Sequence, residues 1–512
     1  MSRIAQRRVH PAVLLLLTCA FCLAEVEQPV VGQEIDAAEL PGHSAPYTPP
    51  PERVRIEADP LLRRFAFGDS AEGDRSSEAS EMENGEEEDE EYEERLKKLE
   101  EAWSKFQEKQ ERASARPTME WSGRIHLDQW AFPTSTRGID FFENPDTGED
   151  PENRFLFRRI RPSVRGEISE IIDYRLDLEF GNLNDPTFKD AYVGFRHLPV
   201  FQTVRVGHQK RPLGFDHWNS SNVTVFMERP VIVEAFNQDS RRLGVASYGG
   251  TEDFEVSWQT GFFLLEDIQN DGDYTGDSEQ FSFNSRLAAS PWYDESSGGR
   301  GYLHLAVANM LANPDGNAGP DESNNNEARF RSRPELRTRS RWVDTGAISN
   351  ANWFNTTGLE AALNIGPFSL VSEYQQSYVD RHGDPSLFFS GAYVYAAYFL
   401  TGEHVPYDRE TSQFDRVTPF ENFFLVNTCN SGVASGLGAW QVIVRYSYAN
   451  LSDEDVRGGR ESNVTLGLNW WWTAHSRLQF NYVYGDIEDR DPVAGYTGGS
   501  FTGFGTRIHI DF

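Results

Sequence analysis

The sequence predicts an all-β protein: a transmembrane antiparallel β-barrel of about sixteen strands, preceded by a disordered spacer and a short coiled-coil helix. Three observations carry this expectation. From residue 119 onward apolar and polar residues alternate with period two. Aromatic residues collect near the ends of the alternating runs. The chain also opens on a basic and then apolar segment of the kind that directs export.

Residues 1–24 read as a signal peptide, with Arg3, Arg7 and Arg8 ahead of the apolar run Ala12 to Ala24. Small-residue cleavage after Ala24 would leave the mature chain starting near Glu25. The run is too short to span a bilayer, and no later stretch reaches the 18 or so apolar residues a spanning helix needs. Cys19 and Cys22 fall inside the signal, so Cys429 is the single mature cysteine and no internal disulfide forms. Residues 25–85 form an acidic, Pro-rich spacer without a sustained period, including Pro49-Pro50-Pro51.

Residues 86–112 follow as a short helix. Glu86 to Glu94 is almost wholly acidic, and Tyr92, Leu96, Leu99, Trp103 and Phe106 recur at spacings of 4, 3, 4 and 3. That is a heptad seam, continued by the polar Gln110. A lone solvated charged helix is the alternative reading of the same residues. The seam gives a reason for self-association without fixing the number of strands.

Residues 119–512 are the barrel. Alternation is plain at Arg124–Asp128, Tyr174–Phe180, Thr203–Val206, Glu255–Gln259, Arg477–Tyr482 and Thr506–Phe512. Turn-rich stretches such as Asp271-Gly272-Asp273 and Asp315-Gly316-Asn317 separate such runs. A soluble sandwich also alternates. Here, however, Trp121, Trp130, Trp470 to Trp472, Tyr482 and Tyr484 mark the interfacial girdles of a membrane wall. The chain ends on Phe512 after an alternating strand, the usual address of bacterial outer-membrane barrels.

Several segments resemble the phosphate-selective porin (porin O and P) family, in order and at sensible spacing from about Trp121 to Phe512. They are residues 210–230 (KRPLGFDHWNSSNVTVFMERP), Arg331–Glu335 followed by Val343–Gly346, and Tyr398–Glu403. Arg445–Tyr448, Leu466–Trp470 and Asn481–Asp486 complete the series. The resemblance implies a trimeric sixteen-strand barrel in the outer membrane, with basic residues lining the pore and drawing phosphate or other small anions inward. The acidic spacer lies outside it, and the N-terminal extension is expected in the periplasm.

Charge frames the question of selectivity. The chain carries 48 Lys and Arg against 80 Asp and Glu, a net charge of −32, which argues against nucleic-acid binding. Residues 25–118 hold 26 acids and 12 bases, and residues 119–512 still carry −21. Yet Arg329, Arg331, Arg333, Arg337, Arg339 and Arg341 all sit on odd positions, interrupted by Glu335. In one extended strand all six would share a face. Turned to lipid, each would cost about 2–4 kcal/mol near the midplane, so that face must be wet. Arg159, Arg161 and Arg165 make a second row. Such guanidinium groups could pass an anion along a lumen. Alternatively, some lie in outer loops or pair with lumen acids such as Asp177 and Glu179.

Lys210, Arg211 and Arg229 flank Ser220 to Met227, which either folds inward to narrow the pore or forms an ordinary turn. Asp267, Asp271, Asp273 and Asp277 approach a calcium-loop pattern, but Gln269 and Ser278 depart from it, and no metal or cofactor is expected. No Gly-x-Ser-x-Gly elbow appears, so an enzyme is not expected. Two functions remain: a passive channel for small hydrophilic solutes, with phosphate or other anions favoured by an arginine lumen, or a structural protein tethering the membrane to the cell wall through its N-terminal extension.

Overall fold

The computed structural model describes residues 97–101, 103–105, 117–237, 240–268, 280–317, 326–427 and 433–512, all within one compact unit of residues 94–512. The signal, the spacer, Cys429, most of the heptad and most of the calcium-like loop fall outside the described residues. Residues 97–101 and 103–105 are helical, with Leu99 and Trp103 exposed.

Sixteen antiparallel strands close into a barrel. They are β1 (Glu120–Ser135), β2 (Arg154–Ser169), β3 (Ile172–Glu179), β4 (Thr187–Leu198), β5 (Gln202–Lys210), β6 (Arg241–Gly250), β7 (Val256–Leu264) and β8 (Phe281–Tyr293). The circuit continues through β9 (Gly301–Asn313), β10 (Ala351–Ile365), β11 (Phe368–Arg381), β12 (Leu387–Phe399), β13 (Ala439–Asp453), β14 (Val456–Thr473), β15 (Ser476–Arg490) and β16 (Gly499–Asp511). β1 pairs with β16 from Arg124↔Asp511 to Ser135↔Phe501, so no edge is left open. Every alternating run named above falls on one of these strands, with Phe180, Glu255 and Phe512 one residue beyond a strand end.

The period-two pattern sorts side chains between wall and lumen. On β13, Trp440, Val442, Val444 and Tyr446 face outward, while Gln441, Arg445 and Ser447 face in and are buried. An apolar outer face and a polar inner one invert the usual globular arrangement, as a hydrocarbon surround requires. Aromatic clusters sit at both rims. Trp440 stacks on Trp470 at 4.7 Å beside Phe423 and Trp472 at one end, and Trp353 meets Tyr378 at the other. Two girdle expectations need correction. Trp130 and Trp471 obey the alternation and point inward, where both are buried and Trp130 donates to Asp128.

Connections at one end are mostly short: residues 170–171, 199–201, 251–255, 294–300, 366–367 and 474–475. The exception is residues 400–438 between β12 and β13. The opposite end carries the long loops, among them 136–153 with helix α1 (Arg137–Glu143), 211–240 with α2 (Phe215–Trp218) and α3 (Val231–Phe236), and 314–350. The last two do not stay outside. Phe236 packs on Phe330, which touches Phe354 and Phe389 of the wall, and Phe226 meets Tyr395. Loop side chains thus fill the lumen beside β10–β13 with an apolar core. The remaining space lies against β1–β6.

Candidate functional site

The segment from Arg211 to Ser240 folds inward, which settles the choice between a pore-narrowing element and an ordinary turn. Its first bend is at Gly214, with φ of 84° and so little room that a Cβ would stand 2.5 Å from Gln375 Nε2. Glu373 of β11 then accepts the N–H groups of Phe215 and Asp216 at 2.6 and 2.9 Å. Lys210 closes the other end of α2: its ammonium donates to the carbonyls of His217, Trp218 and Asn219 at 3.1, 2.9 and 2.9 Å. These are the last orphan acceptors of a one-turn helix, and a cation suits them. Farther along, Asn469 and Gln479 of the wall donate to the Val225 carbonyl. Arg229 donates to Asp216 and to the Asn219 carbonyl.

The loop of residues 314–350 brings the second layer. Residues 329–341 are not one strand, which corrects the expectation of six arginines on a single face. Only Arg331–Ser332 is extended, paired with Val343–Asp344, and the chain then turns at Pro334 and Glu335, the latter at φ 60°. The cause is chemical. Glu335 is buried and accepts hydrogen bonds from Arg445, Ser447 and Thr465 of the inner wall, and reaching them breaks the alternation. Arg333, Arg337 and Arg341 consequently converge on one cavity. Arg329 instead pairs with Asp344, Arg339 is exposed, and Arg331 lies outside the cavity lining.

The cavity, of about 580 Å³, lies between these loops and β1–β6. Arg159 and Arg161 of β2 face it, whereas Arg165 sits near the short-turn end in an exposed pair with Glu120. A β-bulge opposite His126 and Leu127 adds Arg158 to the same face, so Arg158 and Arg159 both enter the lumen. Strict alternation would have sent Arg158 to lipid, and sequence reading therefore missed it. Arg124, Arg175 and Arg205 were missed too, because each is a lone arginine in its strand, and Arg241 because it opens its strand beside Arg242 without a period-two partner. Arg205 of β5 lies over the rings of Tyr192 and Tyr248 at 4.9 and 4.5 Å. Lys210 and Arg229 line the cavity, and Arg211 is buried against Met310 outside the lining.

Thirteen arginines and lysines and six carboxylates line the cavity, although the barrel sequence as a whole is acidic. Some of the expected neutralisation is present: Arg161 pairs with Glu179, Arg175 with Asp177, and Arg241 with Asp190. Glu228 of the inward loop takes both Arg158 and Arg507. Burial pushes Glu228 up, but the charge and bonds of Arg158 outweigh that and hold it well below the usual carboxylate range. Arg337 shows the opposite imbalance. The guanidinium of Arg158, with burial and Arg333 adding to it, pushes Arg337 down to about 9.

The third contributor enters from the short-turn end. Residues 407–408 and 413–414 form a small hairpin inside the barrel. Phe414 packs on Phe215 at 4.7 Å and donates its N–H to Asn219, while Trp218 donates to the Thr411 carbonyl. Gln413 reaches the cavity lining. Loops from opposite ends therefore meet in the lumen and confine the open space to one side.

An apolar-belted closed wall around a polar, loop-narrowed lumen defines a porin, a diffusion channel of the bacterial outer membrane. The chain belongs to the phosphate-selective porin O and P family, whose model matches residues 135–512. An uncharacterized protein of Caulobacter vibrioides is 29% identical over 363 residues, covering 69% of this chain and 68% of that protein. Among solved structures, an anion-selective porin from Comamonas acidovorans aligns at 13% identity and a TM-score of 0.46, over 78% of this chain and 100% of that one. The trimer form of OmpT, an outer membrane protein of Vibrio cholerae, aligns at 10% identity and the same TM-score, again over 78% and 100%.

Proposed function

We propose that the channel favours small anions, phosphate among them, along the cationic cavity beside β1–β6. The observation that carries this is the crowding of Arg158, Arg333 and Arg337. A guanidinium does not give up its proton near neutral pH, so the repulsion that depresses Arg337 is relieved by an anion entering the gap. Planar donors on several guanidinium groups offer a phosphate successive bidentate partners without deep binding at any one. Net charge elsewhere matters little, because exposed charges beyond about 8 Å are screened at physiological salt. A cationic cavity beside the packed loops favours transport over the tethering reading.

The preference is expected to hold steady between about pH 5 and pH 8. In that window Arg337 stays charged and Glu228 stays ionised. His217 stays neutral, because burial and Lys210 push it well below its usual range. Reversal potentials across a KCl gradient in planar bilayers test both statements. Zero or cation-directed potentials at pH 7 would remove the anion reading, and a preference rising steeply below pH 6 would mean that a throat group takes up a proton, either His217 or Asp216, whose carboxyl burial pushes up.

We further propose a homotrimer embedded in outer-membrane lipid, with residues 25–112 forming an extension on the periplasmic side of a barrel spanning 119–512. A seam through Leu99 and Trp103, exposed in the single chain, gives a second contact between subunits. Removing residues 86–112 should loosen the trimer while the barrel keeps its heat-dependent mobility in electrophoresis. Full-length protein that runs as a monomer in mild detergent would exclude it.

A further inference from the structure

We infer that Glu143, which lies outside the throat cavity, is a positioning residue for anion preference. The inference rests on the anion reading above and names what holds its arginines in place. Glu143 ends α1 in the loop of residues 136–153, and its carboxylate is buried. One oxygen accepts from Arg154 Nη2 at 2.9 Å and from the Arg339 N–H at 2.8 Å. The other accepts from the Ser340 N–H at 3.1 Å and from Trp342 Nε1 at 2.9 Å. The Glu143 carbonyl also takes the Ser340 hydroxyl, and Arg154 reaches on to the Arg337 carbonyl at 3.1 Å.

All but one of these contacts end on residues 337–342, the limb that carries Arg337 and Arg341 into the cavity. The other limb is fixed by Glu335 on the inner wall. Trp342, fully buried against Phe501 at 4.9 Å, seats the same limb. A stretch bearing several like charges repels itself and would drift toward solvent if released. Two buried carboxylates, one from the neighbouring loop and one within the stretch, hold it over the throat. Glu143 thus sets the field in the cavity without lining it.

Glu143→Gln tests the assignment. The amide nitrogen would face two donors where the carboxylate offered an acceptor, so the limb is released from α1 while the strands are untouched. In bilayers, where only folded channels conduct, the anion-over-cation permeability ratio should fall about twofold or more, because the cations move away from the path. Trp342→Phe, which keeps the ring and loses one donor, should shift the ratio less and in the same direction. It carries the test if the glutamine variant does not assemble. Arg337→Gln/Arg341→Gln supplies the reference, since these are the two cations on the held limb, and adding Glu143→Gln to it should change the ratio no further. An unchanged ratio in Glu143→Gln, or an equal drop on top of the arginine pair, overturns the positioning role. An unchanged ratio in the arginine pair itself overturns the anion reading instead.

Discussion

Reversing Arg333 and Arg337 to glutamate should move the channel from anion preference to indifference or cation preference. The pair changes local charge by four against a formal surplus of seven in the cavity lining. At an effective dielectric of about 20, an ion about 6 Å from one such group gains or loses about 3 kcal/mol before screening. Even half of that is about a tenfold change in permeability ratio. The substitutions sit on a loop and, among the described residues, break a single ion pair, that of Arg333 with Glu234 at 3.2 Å, so the wall should assemble as before. Reversal potential across a salt gradient reads the effect, with heat-modifiable migration as the folding control. A variant that folds and keeps its anion preference would place the permeation path elsewhere in the lumen.

The second large effect concerns size. Replacing residues 406–415 by a short Gly-Ser link should raise single-channel conductance about twofold or more and weaken discrimination between ions, since a wider, wetter path screens its walls. The hairpin removed is wedged between the inward loop and the wall. Tyr407 bonds His304 at 2.8 Å, and Arg286 donates to the Ser412 carbonyl. Its loss leaves the buried Arg286–Glu360 pair intact, so no uncompensated charge remains in the lumen. Unchanged conductance would show that the hairpin packs against tissue of the barrel that ions never enter.

Much of the wall was legible because lipid on one side and water on the other enforce period two with few exceptions. Length was compatible with sixteen strands, a number the family resemblance implied, and the inward loop was visible as one of two readings of residues 210–230. The site was harder. Arg333 and Arg337 reach the throat for a reason other than alternation: Glu335 must find Arg445, which lies 110 positions later, and no local pattern announces such a partner. Arg158 is turned inward by a bulge, whose extra residue reads in the sequence as an unbroken strand. Trp130 looked like an interfacial tryptophan because composition alone does not tell which face a residue takes. The hairpin at 407–414 gave no signal, since short connections are the rule at that end.

Arg507 has a further consequence, which concerns how the closing seam of the barrel is tied to its throat. It lies on the last strand, grips Asp128 of the first strand with both its terminal and inner nitrogens, and holds Glu228 of the inward loop. The arginine is almost wholly buried, and so is Asp128. The seam between first and last strands therefore carries its own charge match, Arg507 against Asp128, and the inward loop adds Glu228 between Arg507 and Arg158. The guanidinium that depends on the loop is Arg158 of the second strand, whose ion pair is with Glu228. Closure and throat thus share one charged cluster, and a substitution at the seam between first and last strands is felt where the loop narrows the lumen.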